Sequence, residues 1–397
     1  MPQTDPVHDW SGDYDIFDPD YVRDPAPYWA QLRDECPVAH TERWGGSWLP
    51  TRYEDVFAAA RMVPALSSEE PTVVQVPEFL DGYRKGAPPI SSDPPEHTWT
   101  RKLINPFFAP AAIERLHDYT EDLCNRLIDG FVDSGSADAA VDYAQQIPSR
   151  VIARLLGLDP EQAEWFVYLV REILEFGQTE PDRRTRGRQQ VRELFYAELT
   201  SRRADPRDDV LTHLATAEVD GEPVSIDDAA AICHLLLIAG VDTTWSSIGS
   251  SLFHLGTHPE DRRRLAAEPE LVPSAVEEFL RFYSPVTMAR VAKSEVRLGD
   301  AEIKAGDRVL MNFPGANRDP QVFPNAGEVV IDRGRNRHVA FGVGIHRCAG
   351  SHLARMEMNT AISVWLSRIP EFEVADVDAV TWAGGQVRGP RNLPVRF

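Results

Sequence analysis

Phe341-Gly342-Val343-Gly344-Ile345-His346-Arg347-Cys348-Ala349-Gly350 runs directly into residues 351–369, where apolar side chains recur at Leu353, Met356, Ala361, Val364 and Trp365. That spacing predicts a helix, and it puts Cys348 at the helix N-terminus. Unpaired backbone N–H groups and the positive end of the helix dipole favour a thiolate there, which is the form that ligates metal. Gly342 and Gly344 let the backbone approach the sulfur closely and donate hydrogen bonds to it. Taken alone, a single cysteine is more often a buried inert thiol. The surroundings have to decide.

Working outward, residues 273–283 read as a helix in which Glu278 and Arg281 share one face. Ser225 followed by Asp228 is a capping-box pattern that opens a helix running to about residue 255, where Gly256 and Pro259 stop it. From Ala229 to Val241 this helix is apolar on nearly every face, as expected of a helix in the centre of a protein. Ala239-Gly240-Val241-Asp242-Thr243-Thr244 then breaks the apolar run, and the sequence shows no evident need to bury Asp242. Threonine hydroxyls in mid-helix can bond the i−4 carbonyl or open the helix locally.

The 397 residues carry 41 Lys plus Arg against 62 Asp plus Glu, a net charge of −21. Binding to nucleic acid or to an anionic membrane surface is therefore not expected. Cys36, Cys124, Cys233 and Cys348 are far apart, without a C-x-x-C pair, so neither a zinc site nor a disulfide framework is suggested. A reducing cytosol fits this usage. The first ten residues lack an apolar core, and no run of about 18 apolar residues occurs, so a soluble, unanchored, cytoplasmic protein is expected.

Residues 28–33 read as a short helix and 47–51 as a strand. Residues 64–95 read as a long loop with an apolar stripe, and long loops are often functional. Helical patterns follow over 96–131, 145–156, 160–176 and 183–204, and alternating strands over 296–303 and 308–311. Without repeats or low-complexity linkers, residues 1–397 are expected to form one mainly α domain with a small sheet.

The 341–350 segment resembles the haem-binding signature of the cytochrome P-450 family, F-G-x-G-x-H-x-C-x-G, with every fixed position present. The resemblance implies the fold of that family, a triangular helical prism with a long central helix and a small β-rich region. It also implies that Cys348 ligates the iron of haem b (iron protoporphyrin IX), with Phe341, Gly342, His346 and Gly350 around the sulfur and Ala239 and Gly240 on the opposite side. Glu278 and Arg281, with Arg333 in Val330-Ile331-Asp332-Arg333, match the buried structural triad of the family. Asp242 and Thr243 match the acid and threonine of its oxygen-activation motif. Cleaving the O–O bond consumes two protons, so a relay must end beside the iron. By resemblance Thr243 holds an ordered water there and Asp242 links it to bulk solvent, while the cysteinate favours cleavage from the other face. His97 and Arg101, at i,i+4, together with Arg290 and His346, match the partners of the haem propionates, which need cations or hydrogen bonds if buried.

The family's haem domain accounts for most of these residues, leaving no room among them for a flavin or iron-sulfur module. Electrons are thus expected from a ferredoxin (or a flavodoxin) with its NAD(P)H-dependent reductase. Arg333, Arg335, Arg337, His338, Arg347, His352 and Arg355 make the cysteine side basic, which suits an acidic partner. By analogy Val73, Val74, Phe79, Phe176, Val241, Val286, Met288 and Trp382 line the pocket, so a small or medium hydrophobic substrate is expected to be hydroxylated or oxidatively dealkylated by O2. Arg84 or Lys85 is a candidate partner for a substrate carboxylate. Competing readings are an H2O2-driven peroxygenase of the same fold, which normally lacks the acid and threonine, a haem-thiolate sensor without turnover, and a helical protein with an inert Cys348.

Overall fold

The structure is a computed structural model that describes residues 5–75 and 86–397. Phe79, Arg84 and Lys85 lie outside the described residues. The capping box forms as expected: the Ser225 hydroxyl accepts from the Asp228 amide at 3.0 Å and lies 2.8 Å from the Asp228 carboxylate. From there one helix runs without a break over Ile226–Thr257. Its 32 residues span roughly 48 Å at about 1.5 Å per residue. Its end lies two residues beyond the expected stop, because Gly256 continues the helix and His258 caps it.

By length and composition this helix could cross a membrane, but most of its apolar stretch is buried inside the protein. Gln146–Leu156, Ala163–Leu174, Pro181–Ala204 and Ser351–Arg368 pack around it. Ile232, Cys233, Leu237, Val241, Ile248 and Leu252 are fully enclosed by those neighbours. At Gly240 a Cβ would lie 2.7 Å from Ile152 Cγ1, and at Gly249 one would lie 2.7 Å from Pro390 Cγ. Both glycines therefore set how closely other elements approach the central helix.

The 96–131 stretch is not one helix. It divides into Glu96–Ile104, the turn Asn105–Phe108, Pro110–Glu114 and His117–Asp129. Pro106 and Pro110 lack the N–H a continuing helix would use, and their rings clash with the preceding turn. The 160–176 pattern becomes a turn, Pro160–Gln162, followed by Ala163–Leu174, whereas the next helix starts earlier than expected, with Pro181 in its first turn.

Five strands form the largest sheet, in the order Val38–Thr41, Ser47–Pro50, Arg308–Met311, Met288–Ala292, Leu66–Ser67. All neighbours are antiparallel except Ser47–Pro50 with Arg308–Met311. The register sets Val309 opposite Arg290. Arg290 is thereby carried on a rigid internal strand.

Glu278 and Arg281, both fully buried on Val272–Phe282, meet in a bidentate ion pair at 2.7 and 2.8 Å. Arg333 Nε and Asn336 Nδ2 add bonds of 2.9 and 3.1 Å to the same carboxylate, and the Val330 amide adds one of 2.8 Å. Arg281 spends its remaining N–H groups on the carbonyls of Asn317, Ala326 and Glu328. These bonds hold Glu278 below the usual carboxylate range against the opposing push of burial. Glu278→Ala leaves two guanidiniums facing a lost carboxylate in a dry site, and a loss of about 3–5 kcal/mol is expected. Urea unfolding of the purified variant checks it, with Glu193→Ala, an exposed position, as the control that should change little.

Candidate active site

The cysteine loop is shaped by its glycines. Gly342 and Gly344 have φ of 67° and 72°, where a side chain would be strained. The Gly342 amide donates to Val339 O and the Cys348 amide to Phe341 O, each at 2.8 Å. Gly350 caps Ser351–Arg368, and its N–H is directed at the Cys348 sulfur. The Phe341 ring is covered by the Arg355 guanidinium, 4.5 Å from its centroid.

Cys348 and Ala239 both expose surface although they belong to tightly packed segments. In each case that surface faces one internal cavity of about 740 Å³, bounded by Cys348 on one side and by Ala239, Gly240, Thr243 and Thr244 of the central helix on the other. Burial pushes the free Cys348 thiol up, against the pull of the Gly350 N–H and of Arg101, Arg347 and Arg355. The Gly350 N–H at the helix N-terminus favours the thiolate, as expected, while burial opposes it. A bound metal ion is what deprotonates a coordinating thiol outright.

His97, Arg101, Arg290 and His346 line the same cavity. His97 and His346 meet edge to face at 4.4 Å, and His346 Nε2 lies 2.9 Å from Ser68 Oγ. The buried Nε2 of His97 has no hydrogen-bond partner. Among the described residues Arg290 bonds only the Ala289 carbonyl, at 2.7 Å, and burial pushes it down to about 10. Arg101 bonds the neutral Asn105 side chain at 2.8 Å. A wall with one buried and one half-buried guanidinium, neither paired with a carboxylate among the described residues, and an orphaned imidazole nitrogen is missing an anion. Two carboxylates on a flat apolar body, with a metal facing the sulfur, complete it. The residues present therefore fit haem: Cys348 would hold the iron, and these four would hold the propionates.

Thr243 faces the cavity and its hydroxyl donates to Ala239 O at 2.9 Å, with no local opening of the helix. Asp242 does not face the cavity. It is 1% exposed on the opposite side, where Arg391 Nη2 meets its Oδ1 at 2.7 Å and Ser246 Oγ lies at 3.4 Å. Burial raises Asp242 above the usual carboxylate range while Arg391 pulls it down. Arg391 also bonds Glu175 Oε2 at 2.9 Å, and Glu175 is held bidentate by Arg171. Sequence reasoning missed Arg391 and Glu175, because no motif marks residues so distant in the chain.

Of the expected pocket lining, Val286 and Met288 border the cavity. Val73 and Val74 do not; they are buried against Tyr14, Trp29 and Leu49, and Glu69 to Thr72 take the place on the cavity wall. Phe176 lies between the guanidiniums of Arg171 and Arg183, at 4.9 and 3.8 Å, leaving Ile173 and Leu174 to line the space. Val241 points from the far face of the central helix into the core. Trp382 packs edge to face on Phe253 at 5.2 Å and carries Arg388 over its ring, while Gln386 and Val387 reach the cavity.

The family model for "Cytochrome P450" matches residues 164–378. The chain is 34% identical over 390 residues to the vitamin D(3) 25-hydroxylase of Pseudonocardia autotrophica, covering 96% of each chain. It is 32% identical over 401 residues to the 6-deoxyerythronolide B hydroxylase of Saccharopolyspora erythraea, covering 96% of this chain and 97% of that one. The solved structure of PksS, the bacillaene polyketide synthase cytochrome P450 of Bacillus subtilis, superposes with a TM-score of 0.88 at 29% identity, over 96% and 99% of the two chains. With a cysteine, a long helix and an anion-poor cationic wall set around one cavity, the chain belongs to the cytochrome P450 family. It is a monooxygenase whose haem b is bound through Cys348. When bound, the haem supplies O2 binding and the redox chemistry that transfers one oxygen atom to the substrate.

Cys348→Ser is expected to abolish the red-shifted absorption of the reduced, carbon monoxide-treated protein. Single replacements of Cys36, Cys124 and Cys233, none of which lines the cavity, should leave that band in place. The ferrous carbonyl spectrum of each purified variant decides.

Proposed function

We propose that the chain takes electrons from a separate ferredoxin, or a flavodoxin, served by an NAD(P)H-dependent reductase, and hydroxylates or oxidatively dealkylates a small to medium hydrophobic substrate. The observation that carries this reading is the mostly apolar cavity with Thr243 facing it opposite Cys348. An apolar wall favours a hydrophobic guest by removing its surface from water. On this reading residues 1–397 act as one haem domain, with Ala239, Gly240, Phe341, Gly342 and Gly350 around the cofactor.

Thr243 holds a proton-bearing hydroxyl at the oxygen side, and its acceptor Ala239 O fixes where that hydroxyl points. Asp242 supplies the proton from behind the helix. Its ion pair with Arg391 leaves Arg391 a second carboxylate, Glu175, so Asp242 can be released without stranding the guanidinium. A released Asp242, disposed by burial to take a proton, then serves the water beside Thr243. Thr243→Ala is expected to keep haem binding and electron uptake but to divert reducing equivalents to peroxide. The measurement is product and H2O2 formed per NAD(P)H consumed, and an unchanged product yield removes Thr243 from the relay.

Of the seven basic side chains on the cysteine side, three serve the fold. Arg333 pairs with Glu278, and Glu277 takes both His338, at 3.0 Å, and Arg355, at 2.5 and 2.9 Å. Those bonds hold Glu277 down to about 2 in spite of burial. Arg335, Arg337, Arg347 and His352 are exposed. They are the candidates for docking an acidic redox protein. Arg337→Glu combined with Arg347→Glu should slow reduction by a ferredoxin about tenfold or more at low salt and flatten its dependence on ionic strength. Stopped-flow reduction rates at several salt concentrations measure it.

A further inference from the structure

Arg184 and Arg188 stand one turn apart on Pro181–Ala204, and both open onto the cavity. Arg184 is 9% exposed, and its Nε and Nη1 are buried without a hydrogen-bond partner. Neither guanidinium meets a carboxylate among the described residues. The next arginine on the same face differs: Arg192 is bonded to Tyr196 at 3.0 Å and to Asp227 at 3.2 Å. His234, also 9% exposed, approaches from the central helix and lines the same space. Burial, with the two nearby guanidiniums, pushes His234 down to about 3, so it is a neutral group here and brings no compensating charge. Burial likewise pushes Arg184 down to about 10. Arg188 is half-buried, and burial pushes it down as well.

This corner is distinct from the propionate wall, which is built by His97, Arg101, Arg290 and His346. It lies beside the Leu235 and Ile238 turns of the central helix, with Ile173 and Leu174 across from them. From His234 to Thr243 is nine residues, roughly 13 Å along the helix axis at about 1.5 Å per residue. Arginine's planar fork matches a carboxylate bidentately, and a desolvated guanidinium without a counter-ion is strongly destabilising unless a ligand supplies one.

We propose that Arg184 and Arg188 bind the carboxylate of an amphipathic substrate acid, whose apolar body extends along the central helix toward Cys348. Building on the monooxygenase reading above, it names the substrate class of that pocket. The carbon that is oxidised then lies far from the carboxylate, because the acid is fixed near His234 and the oxygen side is marked by Thr243.

The test uses the haem-loaded protein and a series of ω-(imidazol-1-yl)alkanoic acids of increasing chain length, each with its methyl ester. The imidazole nitrogen anchors one end at the iron and gives a difference spectrum, so affinity is read without turnover. The acids are expected to bind about tenfold or more tightly than the esters at one optimal length. Arg184→Gln combined with Arg188→Gln should bring the acids down to the level of the esters. Equal affinities for acid and ester at every length overturn the proposal, as does a preference that survives the double substitution. Loss of ester and acid binding together in the variant also overturns it, because the arginines would then be holding the fold. Failure of the monooxygenase reading looks different: the reduced carbonyl spectrum would lack its red-shifted band. Esters that bind well while acids gain nothing leave that reading standing and remove only this one.

Discussion

Two adjacent carboxylates, Glu277 and Glu278, fix the place of the sulfur. Glu278 accepts five hydrogen bonds, from Arg281 twice and from Arg333, Asn336 and the Val330 amide once each. It therefore pins the strap of chain that leads into the cysteine loop. Glu277 bonds His338, before the loop, and Arg355, after it. The loop is clamped at both ends to the same turn of one helix. Breaking the fully buried Glu278–Arg281 pair strands a charge at a large free-energy cost, so that part of the clamp resists opening even if an apolar substitute could be as stable. A ligand atom that must face a fixed gap benefits from that rigidity more than from the net stability of the pairs.

Several buried arginines outside the cavity differ from two on its wall. Arg43, Arg202, Arg281 and Arg391 each meet a carboxylate and lie outside the cavity wall. Arg290 and Arg184 lie on the wall, are comparably buried, and meet none among the described residues. In a chain with net charge −21, carboxylates are plentiful enough to have compensated these positions. Uncompensated guanidiniums at these two positions give the cavity wall a positive potential inside an acidic protein.

Legibility in the sequence followed the range of the interaction involved. The capping box at Ser225, the cysteine loop and the Glu-x-x-Arg pair are local, and their bonds form between residues a turn apart or between near neighbours. The long helices were readable from periodicity, but their ends shifted at Pro160 and Pro181, and across 96–131 the periodic pattern persists through prolines that physically end each segment. The pocket wall was read poorly for a different reason. Val73 and Val74 are apolar, but apolarity does not say whether a side chain faces a cavity or a core, and here the core took both. Phe176 and Trp382 were drawn away by stacked guanidiniums, and nothing in linear sequence shows which arginine will cover which ring.

Asp242 shows how the same residue can answer to both demands. A carboxylate on the buried side of a central helix needs a partner, and Arg391 supplies it from a strand of Gly389–Asn392 at the end of the chain. If stability were the only requirement, an apolar residue in a fully packed helix would serve better than a desolvated ion pair. The pair is also not closed, since Arg391 divides its donors between Asp242, Ser246 and Glu175, and Glu175 is shared in turn with the half-exposed Arg171. Arg391 and Glu175 each have a second charged partner, so one contact can open at less cost than in an isolated pair. An arrangement that binds a carboxylate firmly and still permits its release, one residue from the threonine that faces the cavity, suits the relay proposed for Asp242.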